Sequence, residues 1–224
     1  MKHSDENIKK EICRVMKILH EDRLLTATGG NVSARAKNSE EIWITPRGAY
    51  KANLRPNDLV KVDLHGNIIE GKSSPSIEMQ MHLQIYMGRP DVGGIIHSHP
   101  PFTMALSSCD IAIDLPISVS AVYRLPKIPI VNFAMPGSKE LAELVSNEIK
   151  DADVVVLRNH GLITVGSTLS EALYRAQILE ENSKIILIVK LMAHVLGKDP
   201  ITIPDAYARS IRELSLRRRE EQRR

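Results

Sequence analysis

Cysteine is nearly missing: Cys13 and Cys109 are the only two in 224 residues. That excludes a disulfide framework and argues against a cysteine-based metal site, so a metal must be sought among histidines and carboxylates. Long apolar runs are missing too, none approaching the roughly 18 residues that span a bilayer. The opening MKHSDENIKK is charged and polar where a signal peptide would be apolar. The expectation is a cytoplasmic protein with no membrane partner. There is no internal repeat, no low-complexity linker and no domain boundary before residue 204. With 43% hydrophobic residues the chain can build one sizeable core, over residues 1–204, followed by a basic tail, 205–224. Residues 206–224 hold seven arginines against three glutamates, a net of +4 in a chain of net +3, so the rest carries −1. No aromatic side chain falls among those arginines, which favours a solvated or subunit-contacting helix over a nucleic-acid contact.

Hydrophobic spacing supplies the elements. Ile8, Ile12, Val15, Met16, Leu19 and Leu24 predict an amphipathic helix over residues 5–24, ended by the glycine-rich TATGGNVSAR. IWITP, LVKVDL and NIIEG, separated by turn-rich stretches, predict antiparallel strands. SPSIEMQMHLQIYMGRP predicts a helix of about three turns with proline in its first turn. DVGGIIHSHPP reads as a buried strand, followed by a helix near 101–108, the strand KIPIVNF, a helix from Ser138, and the strands DVVVLRN and GLITVG. Thr168 with Glu171 predicts the start of a long helix to about Leu196. The connections are too short for a doubly wound parallel sheet. The α/β class that remains is a single domain with a mixed, largely antiparallel central sheet between helical layers.

His97 and His99 are two apart at the end of a β-branched run, so on a strand their imidazoles leave one face. A hydrogen-bonded structural pair is the simpler alternative. His160 shifts the balance, because it sits in an Asn-His-Gly turn just past a buried strand, where a ligand is exposed. Three imidazoles with an open fourth position make a catalytic zinc site, which Mn²⁺ or Co²⁺ could also fill. Glu78, in the first or second turn of its helix, is the candidate acid/base group, although a helix-dipole role would also explain it. His82 lies one turn further on the same face and reads as a core or surface histidine. Three loops, TGGNVSAR, TPRGAY and SSPSIE, offer backbone amides to an anion, and the same residues also make ordinary turns. With a metal site close behind, they suggest a phosphorylated or carboxylated small substrate.

The order GGNVS, ITPxG, a glutamate opening a helix, HxHPP and NHG resembles the class II aldolase/adducin family from about residue 8 to residue 195. The resemblance implies that family's three-layer fold, one Zn²⁺ per subunit on His97, His99 and His160, and Glu78 alternating between metal ligand and general base. It implies a substrate phosphate held by the loops of Gly30, Asn31, Gly48 and Ser76, and a homotetramer with active sites between subunits. The reaction implied is cleavage of a ketose 1-phosphate such as L-fuculose 1-phosphate to dihydroxyacetone phosphate and an aldehyde, through a metal-stabilised enediolate. Arg47 stands where the family's aldolases offer threonine to the phosphate, and is counted here as a phosphate ligand through its forked donors. Ile77 replaces a serine. Ser118 replaces a tyrosine proton donor, for which Tyr123, beside Arg124, is the substitute, borrowed across an interface. The same intermediate serves pentulose-phosphate 4-epimerases, dehydratases and metal-dependent decarboxylases of this fold. A non-catalytic module like the adducin head would not need the four metal-site residues that are all present.

Overall fold

Valine and isoleucine set the middle of the molecule. The computed structural model describes residues 2–37 and 39–223. Strands β5 (Gly94–Ser98), β7 (Val154–Leu157) and β8 (Gly161–Gly166) are buried at every residue, as continuous apolar runs covered on both faces must be. They join β1 (Asn31–Ala34), β2 (Glu41–Ile44), β3 (Val60–Asp63), β4 (Ile68–Glu70) and β6 (Ile130–Val131) in one eight-stranded sheet of order β4-β3-β2-β1-β5-β8-β7-β6. Among the described residues only the β6–β7 pair is parallel.

Side-chain alternation sends each strand's residues to two cores. Ile96, Val154, Val156 and Leu162 pack with α1 (Lys2–Glu21), α3 (Pro101–Ser108) and α6 (Leu169–Leu196). Ile95, Val155, Leu157, Ile163 and Val165 pack with α2 (Met79–Gly88) and α5 (Lys139–Ile149). Three layers result, as expected. The Ser138 and Thr168 side chains cap α5 and α6 by accepting from Leu141 N and Glu171 N.

Several local expectations change. Half of the glycine-rich segment is strand β1, not loop. Its Asn31 and Ser33 point to the α2 side, where that helix supplies polar partners, while Val32 and Ala34 join the other core. Helix α2 starts only at Met79. Pro75 bridges Pro46 and Ser76 N donates to Thr45 O at 3.1 Å, so the chain runs extended until Ile77 and leaves Glu78 at the N-cap position. The tail from Asp205 forms α7 (Asp205–Arg223), and residues Val119–Arg124 form α4, a short helix that periodicity did not mark. α7 lies on α4 of its own chain, burying Ala208 and Ser215 and leaving Leu214 and Leu216 exposed.

Candidate active site

Antiparallel pairing places Asn31 opposite His97, and β5 runs beside β8, whose entry turn carries His160. Asn159 in that turn adopts φ 58°, and the His160 amide donates to Leu157 O at 3.0 Å. Only glycine fits next: a Cβ at Gly161 would meet the His99 ring at 2.8 Å and the His97 ring at 3.1 Å. The three imidazoles therefore converge. Their ligand atoms lie within 4.8 Å of one another, with His99 Nε2 3.0 Å from His97 Nε2. Glu78 closes the group, with Oε2 3.2 Å from His97 Nε2 and Oε1 3.3 Å from His160 Nε2.

Protonation settles what this group fits. His97 Nδ1 faces Leu162 O at 3.2 Å; it must donate there, which leaves Nε2 without a proton. Burial pushes His97 well below the ordinary histidine value, His99 down to about 4, and His160 down as well. The His97 Nε2 lone pair thus faces the Glu78 carboxylate and a second neutral imidazole, an arrangement that a divalent cation relieves. Glu78 Oε1 and His160 Nδ1 are buried with no hydrogen-bond partner among the described residues. A set of three nitrogens with a carboxylate beside it suits a zinc-type ion with an open position. Burial also raises the Glu78 pKa, opposed by the Asn31 hydrogen bond and the Lys51 charge.

Over the imidazoles opens a cavity of about 950 Å³, bordered by Gly30, Asn31, Arg47, Gly48, Ser76 and Glu78. Gly30 and Gly48 take φ 78° and 68°, left-handed conformations that glycine adopts without strain. Tyr123 is elsewhere: its hydroxyl accepts from Arg218 at 2.9 Å, and it does not border this cavity in the same chain. Sequence reasoning missed Lys51, which borders the cavity while 2% exposed and donates to Pro46 O at 3.2 Å. Nothing in the turn-rich RGAYKANLRPND distinguished it from a surface lysine. Of the two readings of His82, core or surface, the core one holds, since it is fully buried; its pairing with Asn31 was not foreseen.

The sheet ends in three imidazoles that could hold a metal ion, with a carboxylate beside them, and comparison with known proteins gives the family. Residues 10–187 match the family described as Class II Aldolase and Adducin N-terminal domain. An L-fuculose phosphate aldolase of Methanococcus vannielii is 37% identical over 180 residues, 80% of this chain and 96% of that protein. A 3-oxo-tetronate 4-phosphate decarboxylase of Escherichia coli O6:H1 is 29% identical over 190 residues, 83% and 88% of the two chains. A solved L-fuculose 1-phosphate aldolase superposes with a TM-score of 0.82 at 29% identity, covering 92% of this chain and 95% of its own. The chain belongs to the class II aldolase/adducin family, as an enzyme of the metal-dependent aldolase type. No helix among the described residues is long and apolar enough to cross a membrane.

Proposed function

We propose that the protein is a zinc-dependent lyase that cleaves a ketose 1-phosphate of the L-fuculose 1-phosphate kind to dihydroxyacetone phosphate and an aldehyde. The observation that carries the reading is a partly desolvated carboxylate, Glu78, set against three neutral imidazoles. His97, His99 and His160 would hold one Zn²⁺ per subunit, with Mn²⁺ or Co²⁺ as substitutes. Bound there, the ion supplies Lewis-acid charge to the enediolate left when the carbon–carbon bond breaks. Glu78 carries the proton to and from the enediolate carbon, a task to which its raised pKa is suited. Gly30, Gly48 and the Ser76 hydroxyl on the cavity wall, with Asn31 and the Arg47 guanidinium, orient the phosphate.

The family resemblance supports a homotetramer, and so do Leu191, Met192 and Val195 on the last turns of α6, which a lone chain leaves exposed. Tyr123 would then serve as proton donor in a neighbour's cavity. A cytoplasmic location fits this reading, because a phosphorylated substrate would be retained there. The domain is residues 1–204, with α7 as its basic appendage.

One observation favours a second reading. Lys51 and Arg47 bring two side-chain cations to the cavity, enough to hold a carboxylate besides a phosphate. That suits a keto-acid phosphate and loss of carbon dioxide, the chemistry in the name of the decarboxylase relative. The zinc-loaded protein should release dihydroxyacetone phosphate from L-fuculose 1-phosphate. Release of carbon dioxide from 3-oxo-tetronate 4-phosphate, with no cleavage of the ketose phosphate, would replace the first reading by the second. A protein that purifies and stays free of stoichiometric metal would remove both.

A further inference from the structure

A line of buried polar atoms leads away from Glu78 into the α2 face of the sheet. Asn31 Nδ2 donates to Glu78 Oε2 at 2.8 Å. Asn31 Oδ1 lies 2.6 Å from His82 Nε2, His82 Nδ1 lies 2.7 Å from Ser33 Oγ, and Ser33 Oγ lies 3.0 Å from the Tyr86 hydroxyl. His82 and Ser33 are 0% exposed and Tyr86 is 1% exposed. Ordinary packing does not require four successive buried polar groups to be matched end to end.

The direction of every bond follows from the first. An ionised Glu78 only accepts, so the Asn31 amide must present nitrogen to it and oxygen to His82. His82 Nε2 must then carry the proton. Complete burial pushes the His82 pKa down to about 3, so the ring is neutral and Nδ1 is bare. Nδ1 accepts from Ser33, and Ser33 accepts from Tyr86. Reversing any one bond would set two donors or two acceptors face to face.

We propose that His82 is a positioning residue for the reaction: through Asn31 it fixes which Glu78 oxygen is pinned, Oε2, and leaves Oε1 free to carry the substrate proton. The proposal rests on the reading of Glu78 as the base. Asn31 keeps its second amide N–H for the substrate, so the same side chain ties base and ligand to one orientation. The fixed end of the line is Tyr86, buried in the α2 core.

The variants separate a donor from a filler. In His82→Gln the amide nitrogen can stand where Nε2 stood and donate to Asn31; in His82→Asn the side chain reaches Ser33 but not Asn31. The assay is exchange of the hydroxymethyl proton of dihydroxyacetone phosphate in D₂O by zinc-loaded protein, in which Glu78 takes the proton and returns a deuteron. His82→Asn should slow kcat for exchange about 10- to 100-fold, with zinc content and KM held, while His82→Gln stays within about 3-fold of wild type. Wild-type rates in His82→Asn, alongside a dead Glu78→Gln, would overturn the positioning role and leave the base reading intact. Wild-type rates in Glu78→Gln, or no exchange by the wild type, would remove the base reading itself. Should His82→Asn not fold, Tyr86→Phe loosens the far end and should slow exchange several-fold without loss of zinc. Nitrogen-15 imidazole spectra of the unmodified protein give a substrate-free readout: the proposal requires a neutral His82 protonated at Nε2, and an Nδ1–H tautomer overturns it.

Discussion

The two ends of β5, β7 and β8 are both lined with buried charge, and they treat it in opposite ways. At one end, before β7, Asp153 receives Arg89 at 3.3 Å, Arg175 at 3.0 Å and Arg219 at 2.7 Å, while Arg89 also grips Asp91 at 2.6 Å. At the other end, Glu78 faces three neutral imidazoles and one buried lysine, and its Oε1 has no hydrogen-bond partner among the described residues. The arginine end ties strand, helix and tail together with opposed full charges. The histidine end is left with lone pairs that the protein does not satisfy. Unmet buried acceptors cost stability, and a fold keeps them where a ligand or a reaction uses them. Substitutions at the two ends should accordingly separate stability from turnover.

The largest effect belongs to the arginine end. Asp153→Ala leaves Arg89, Arg175 and Arg219 facing one another where the Asp153 side chain is only 8% exposed. Breaking a buried ion cluster by removing one partner costs about 3–5 kcal/mol. Urea unfolding should show that loss, while kcat of the folded fraction stays at the wild-type value. An unchanged urea midpoint would mean that α7 and β7 are held without this carboxylate.

Next comes the opposite result at the other end. Glu78→Gln should keep the metal and lower kcat by about 10²-fold or more, equivalent to about 2.7 kcal/mol of barrier. Stability should hold or rise. The folded-state pKa of Glu78 is raised above 4.5, chiefly by burial, so its favourable contribution is present below the unfolded value and lost as pH rises through the folded one. At pH 7 the ionised carboxylate is a burden that glutamine does not carry. A variant with normal kcat would make Glu78 structural and erase the contrast between the ends.

What could be read from sequence follows the range of each interaction. The HxH pair and the NHG turn are local, since strand alternation and a strand-end turn are enough to aim His97 and His160 at one point. The line from Glu78 to Tyr86 is not local. It pairs Asn31 and Ser33 with residues about 50 positions away, and depends on the β1–β5 register and on where α2 lands. Glu78 was placed inside its helix because proline and serine make a good helix start. The bridge between Pro46 and Pro75 overrides that preference and could not be seen without the fold. The tail's arginines read as a solvated or subunit-contacting helix, whereas Arg219 and Arg218 reach Asp153 and Tyr123 of the same chain. Both targets lie far away in sequence.

The smallest effect tests the histidine end through acid. Complete burial holds His82 neutral, with a folded-state pKa of about 3 against an ordinary value of 6.5. A depressed folded pKa means that the unfolded chain takes up the proton first. The stability contribution is therefore fully present above pH 6.5 and is lost as pH falls toward 3, at up to about 1.4 kcal/mol per pH unit. His97 and His99, depressed mainly by burial, act in the same direction, so the absolute slope cannot be given to one residue. The difference between wild type and His82→Gln can. Glutamine does not titrate, so in metal-free protein its stability should gain on the wild type by about 2 kcal/mol between pH 6 and pH 4.5. Parallel stability curves for the two proteins over that range would show that His82 already accepts a proton in the folded state, which would also break the single direction of the hydrogen bonds that hold Glu78.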